Sequence, residues 1–162
     1  MRQILLILLA FTWISIGNAQ EPLKLMDFEI LNNTSWEGQL TCKDYQSGKM
    51  TPVDATMQIK IKKDRIITNV QYTYEPNKNN SSSVKLKKGG TYYGNEKLIS
   101  NTINNNERTF VTYYEGKDGG KKAGIYITHQ FSKDRLKISK EVQYKNETTR
   151  FVRNIYKFKK IQ

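Results

Sequence analysis

The chain of 162 residues has one cysteine and one histidine. A single cysteine closes no intramolecular disulfide and supports no thiolate metal cluster, and a single histidine excludes sites that need two. After Ile16 there is no apolar run long enough to span a bilayer, and after Asn33 there is no stretch with the three- and four-residue spacing of an ordinary helix. Acidic side chains are scarce: 15 against 27 basic ones, for a formal charge of +12. The paired glycines Gly89-Gly90 and Gly119-Gly120 lack the following helix of a phosphate loop. No Ser-His-Asp order can be assembled, and acids such as Asp64 and Glu75 fall near turns rather than as a glycosidase pair. The single histidine is the one base Cys42 could use as a nucleophile. The chain is therefore expected to be no enzyme. What it has in quantity is aromatic residues, 11% with ten tyrosines, too many for a disordered chain.

The N-terminus reads as a leader. Met1-Arg2 is followed by the apolar run Ile4–Ile16 and then the small residues Gly17-Asn18-Ala19, the pattern of a secretory signal cut before Gln20. The run falls short of the about 20 residues that cross a bilayer. An uncleaved anchor is the alternative. No cysteine follows the cleavage point to take a lipid, and no transmembrane segment is expected after cleavage. Residues 1–19 are thus assigned as signal peptide, 20–34 as a lead-in segment and 35–162 as the folded domain, exported to the periplasm or the medium.

The rest of the chain alternates with a period of two. Trp36, Gly38, Leu40 and Cys42 share one face, as do Val53, Ala55, Met57, Ile59 and Ile61, while lysines, glutamine and threonine occupy the other. That is the signature of half-buried antiparallel strands. Ile66, Thr68, Val70, Tyr72 and Tyr74 continue it, and Lys63-Asp64 is a two-residue turn that sets Ile61 beside Ile66. Further strands are expected at Ser83–Lys88, Gly90–Tyr93, Lys97–Asn101, Arg108–Tyr114, Ala123–Phe131, Arg135–Tyr144 and Thr148–Lys159. The turn Gly116–Gly120 and polar loops at Pro76–Ser82 and Thr102–Asn106 punctuate them. Leu23, Met26 and Ile30 would share a face of a short helical turn, although Phe28–Ile30 reads equally as extended chain. About ten strands joined as a meander predict an all-β single antiparallel barrel of about 8–10 strands, with a Greek-key sandwich as the alternative.

The segment Asn32–Leu40, followed by Asp44-Tyr45-Gln46-Ser47-Gly48-Lys49, resembles the first strand of lipocalin-like barrels. Thr34 stands where their Gly-x-Trp signature has glycine. The likeness is closest to small exported bacterial lipocalin-like (calycin-type) proteins of unassigned function, and is sharp over Trp36–Lys49. It implies a cup for a small apolar molecule in which Trp36 plugs the closed end; fold alone fixes no ligand.

Several residues read two ways. Trp36 is a packing plug or part of a ligand wall. His129, aligned with Ile125, Ile127 and Phe131, is a core or rim histidine, with axial ligation of a haem as the minor alternative; no other cofactor is implied. Lys140 interrupts the apolar row Leu136, Ile138, Val142, Tyr144, and an inward ammonium is costly unless paired. In one register of the last hairpin Lys140 faces Arg153, which calls for an anion between them. A register one residue away turns Val152, Asn154, Tyr156 and Phe158 inward and removes the conflict, as would a bulge or a lysine reaching the rim. In the first register Lys140, Arg153 and His129 make a basic patch within an apolar cup that includes Tyr72 and Ile127. A fatty-acid-like ligand fits that arrangement. Arginine and tyrosine on the last strand serve this purpose in fatty-acid-binding barrels, but Arg153 and Tyr156 are three apart and so expected on opposite faces. The outer lysines suggest the other function class, an envelope interaction module with a basic face for anionic lipid or polysaccharide. Nucleic acid is a poor partner for an exported chain without a basic-aromatic motif. The five Asn-x-Ser/Thr matches are expected by chance in a chain so rich in asparagine.

Overall fold

The structure, a computed structural model, describes residues 21–162. The leader expected over residues 1–19 lies outside the described residues. Alternation drives the chain into ten antiparallel strands: β1 (Thr34–Lys43), β2 (Met50–Lys62), β3 (Arg65–Tyr72), β4 (Asn80–Lys87), β5 (Tyr92–Tyr93), β6 (Glu96–Asn104), β7 (Glu107–Asp118), β8 (Lys121–Phe131), β9 (Arg135–Tyr144) and β10 (Phe151–Lys160). Each pairs with its neighbour in sequence, and β1 pairs with β10, so the meander closes into a barrel and the sandwich alternative falls. Ile61 lies opposite Ile66 across the Lys63-Asp64 turn.

Several loops are shorter than the sequence suggests. β6 runs on to Asn104, leaving Asn105-Asn106 as its turn, with both residues at positive φ. β7 runs to Asp118, and Gly119-Gly120 alone make the next turn, again at positive φ, as a tight hairpin requires. Hydrogen-bonded ladders extend through polar residues wherever a partner strand is in register, which polarity alone does not reveal.

One end of the barrel is sealed. A 3-10 helix, Leu25–Leu31, lies beneath it and buries Phe28 and Leu31, with Leu23 just before it, against Trp36, Phe110, Phe131 and Phe158. Met26 and Ile30, expected to share the buried face with Leu23, point outward instead. The helix winds at 3-10 pitch, so residues three apart eclipse and Phe28–Leu31, rather than Met26–Ile30, meet the core. Polar contacts also hold the segment. Asp27 pairs with Arg108 at 2.8 Å, both largely buried. The Leu23 amide donates to the Gly90 carbonyl, and the two backbones approach so closely that a Cβ on Gly90 would collide with the Leu23 carbonyl oxygen.

The wall is uneven. β5 has two residues, paired to Leu86–Lys87 on one side and Glu96–Lys97 on the other. Above it, Asn80–Lys85 of β4 has a ladder only with β3, and Tyr114–Asp118 of β7 only with β8. A slot therefore interrupts the upper wall between β4 and β7.

Candidate functional site

The inward rows divide the interior by height. Toward the sealed end they are buried: Trp36, Met57, Ile59, Ile66, Leu136 and Phe158. At the other end a smaller cluster of Ala123, Ile125 and Val142 is buried beneath Tyr144 and Phe151. Between them, Leu40, Val70, Tyr72, Ile127, Ile138, Lys140 and Tyr156 point inward yet are only half-buried, so solvent-reachable space lies between the two packed zones. Across it the hydroxyls of Tyr72 and Tyr156 meet at 2.7 Å. Burial pushes the Tyr156 phenol well above its usual range, helped by that hydrogen bond, so it stays neutral and able to donate.

The last hairpin uses neither expected register throughout. Phe151 faces Val142 and Val152 faces Glu141, but beyond them Asn154 faces Lys140 and Tyr156 faces Ile138, with an irregularity between Val152 and Asn154. The extra residue is Arg153. A bulge sets two residues against one and reverses the face of every later residue on its strand. Arg153 and Tyr156 therefore both reach the interior, which corrects the expectation from their spacing. Val152, inward in the second register, instead lies opposite the outward Glu141.

Lys140 and Arg153 do meet an anion, and it belongs to the protein. Asp118, only 4% exposed, lies 3.4 Å from Lys140 Nζ and 3.5 Å from Arg153 Nε, and its second oxygen accepts from the Tyr144 hydroxyl at 3.4 Å. Arg153 also donates to the Lys43 carbonyl and stacks on the Tyr45 ring, its guanidinium carbon 3.4 Å from the centroid. Tyr45 in turn rests against Gly119. Arg153 is thus well held. Lys140 is not: among the described residues its three donors have a single partner, at a distance beyond the about 2.7–2.9 Å of a good charge-assisted bond. Ile127 faces Lys140 from β8. Two cations share one buried carboxylate. Asp118 was legible only as part of a turn; its inward parity with Phe110, Thr112 and Tyr114 is the signal that finds it.

A second acid lines the lower rim of the slot. Glu96 accepts from the buried Thr112 hydroxyl at 2.5 Å, and burial raises its pKa, an effect the Thr112 bond partly offsets. Cys42, on the same inward row as Leu40, has its thiol pushed up by burial with Arg153 opposing, the reverse of an activated nucleophile.

Trp36 and His129 stand apart from this group. Trp36 is fully buried, and its indole N–H donates to Thr34 Oγ1 at 2.7 Å while Thr34 donates to the Leu31 carbonyl at 2.6 Å. It packs in the core at the sealed end, with Thr34 as its polar partner. His129 does not join a basic patch. Its ring stacks on Phe110 at 4.4 Å, beside Tyr93 at 5.2 Å, and burial drives its pKa down to about 3. The imidazole is neutral at physiological pH. Its Nε2 is buried without a hydrogen-bond partner, as an axial ligand's nitrogen would be, but Phe28, Phe110, Phe131 and Tyr93 fill the cluster around it with centroids 5.4–6.4 Å apart. A porphyrin would have to part those rings, so these residues do not fit a haem. Among the described residues no cluster of three or more His, Cys, Asp or Glu side chains is set to hold a metal, and no helix is long and apolar enough to cross a membrane. No protein-family model matches the chain, and neither curated proteins nor solved structures provide a match to it.

Proposed function

We infer that this is an exported, non-catalytic barrel that binds a small amphiphile with a singly charged anionic head. The observation that carries the reading is Lys140, an inward lysine with unfilled donors, sharing one carboxylate with Arg153. Burying an ammonium so loosely paired costs stability unless it serves something. A carboxylate head placed between Lys140 and the Tyr72–Tyr156 hydroxyl pair would satisfy the free donors, and an alkyl tail would lie along Ile127, Ile138, Val70 and Leu40. The leader pattern at residues 1–19 and the likeness of Trp36–Lys49 to exported lipocalin-like proteins support the same reading.

The test uses a fluorescent fatty acid and its methyl ester. Replacing both cations would strand Asp118, so the informative variant is Lys140→Met, which leaves the Arg153–Asp118 pair intact. It is expected to weaken the acid at least about ten-fold, the loss of one charge-assisted hydrogen bond, and to leave the ester unchanged. Equal affinities of wild type and variant for the acid would sink the reading. Native mass spectrometry of protein purified from its own source would identify a co-purifying ligand.

A further inference from the structure

The outer wall carries a second charged feature, independent of the interior. Lys157 of β10 faces Lys137 of β9, and two residues along Lys159 faces Arg135. All four are exposed. Strand spacing and rise place them at the corners of a patch about 5 Å by about 7 Å. Like charges directly opposite each other across strands destabilise a sheet. Among the described residues the three lysines form no ion pair, and Arg135 has a loose contact with exposed Asp134 at 3.8 Å. Even Glu37, across from Lys159 on β1, does not close onto it.

The quartet sits in a concavity of about 1130 Å³ that crosses the outside of the sheet. The rest of that groove holds no further cation: most of it is hydroxyls, amides and acids, with Gly38, Ala55, Leu136 and Phe158 beside them. Gln130 donates to Glu107 at 2.6 Å on one flank, and Gln39 donates to Asp54 at 2.9 Å on the other. Thr41, Thr56, Thr73 and Asn105 add further hydroxyls and an amide. A continuous polyanion or a flat anionic bilayer laid here would bring negative charge against Glu107, Glu37 and Asp54. A ligand with one compact anionic cluster on an otherwise neutral, hydroxyl-rich body keeps its charge on the four cations and meets less of that repulsion, with Glu37 beside Lys159 the acid nearest to it in register.

We propose that this groove binds a saccharide carrying a compact cluster of phosphate or sulfate groups, with the Arg135, Lys137, Lys157 and Lys159 quartet holding the anions. Two phosphate groups bring about three to four negative charges, a match for four cations. The surrounding amides and hydroxyls hydrogen-bond the sugar.

Calorimetric titration with glucose 1,6-bisphosphate, glucose and phosphatidylglycerol vesicles tests this. The bisphosphate is expected to bind and glucose not to. Lys137→Gln with Lys157→Gln should weaken the bisphosphate at least about ten-fold, as should Arg135→Gln with Lys159→Gln. Lys60→Gln with Lys62→Gln, which removes the same charge from the outer face of β2, should change it less than about two-fold. Relief of like-charge repulsion keeps the first double variant at least as stable as the parent, so loss of fold does not imitate loss of binding. Equal losses in quartet and β2 variants, absence of bisphosphate binding, or binding to vesicles alone would each overturn the proposal. The interior site is read separately with the fluorescent fatty acid, so either can fail without the other.

Discussion

Asp118 decides how the interior is charged, and its removal should act opposite to that of Lys140. Asp118→Asn keeps the shape, removes the internal counter-ion and leaves two cations for the ligand. Affinity for the fluorescent fatty acid is expected to rise several-fold while thermal stability falls, because two buried charges lose their partner. Affinity that drops along with Lys140→Met would show that the head group binds elsewhere. His129 makes a different prediction, about acid. Its folded-state pKa, about 3, lies below the ordinary 6.5, so the unfolded chain takes up a proton that the folded chain refuses. This part of stability is complete above about pH 6.5 and is lost as pH falls toward 3, by up to about 1.4 kcal/mol per pH unit. His129→Phe, which also removes the unpartnered Nε2, should flatten the slope of stability between pH 4 and pH 6 in chemical denaturation. A slope identical to wild type would contradict the assignment.

The elements show where the sequence speaks and where it is silent. β9 is legible to the residue, Arg135–Tyr144, because strict alternation and two turn signals bound it. β10 is not, because a bulge has no composition: Phe151 obeys one parity and Tyr156 and Phe158 the other, and only the placement of Arg153 between them reconciles the two. The odd lysine at position 140 was visible as a conflict, whereas its solution, an aspartate 22 residues upstream, required knowing that β7 extends through a glycine-bearing stretch into the mouth. The sealing segment was half legible, since apolar residues were evident but 3-10 winding chooses which of them turn inward. Its seat depends on Gly90, at φ 91° with no room for a side chain. Gly90→Ala should destabilise the protein by about 3 kcal/mol, combining left-handed strain with a clash against the backbone, measured as a lowered denaturation midpoint. Thr34→Val, which deprives the Trp36 indole of its acceptor, should cost about 1–3 kcal/mol.

At the scale of the molecule, closure removes most sheet edges, yet the two-residue β5 keeps one place where the wall falls short. The amides of Asn80–Lys85 and Tyr114–Asp118 that face this slot are expected to exchange with deuterium much faster than those facing β3 and β8, since no ladder protects them. A vessel with a cleft in its flank does not measure what it holds by depth. If the interior holds an amphiphile as proposed, an alkyl chain too long for it can trail sideways between β4 and β7, so affinity for a series of fatty acids should climb with each methylene and then level off instead of collapsing. On the proposed reading, selectivity would come from the head group, with no upper limit set on the length of the tail.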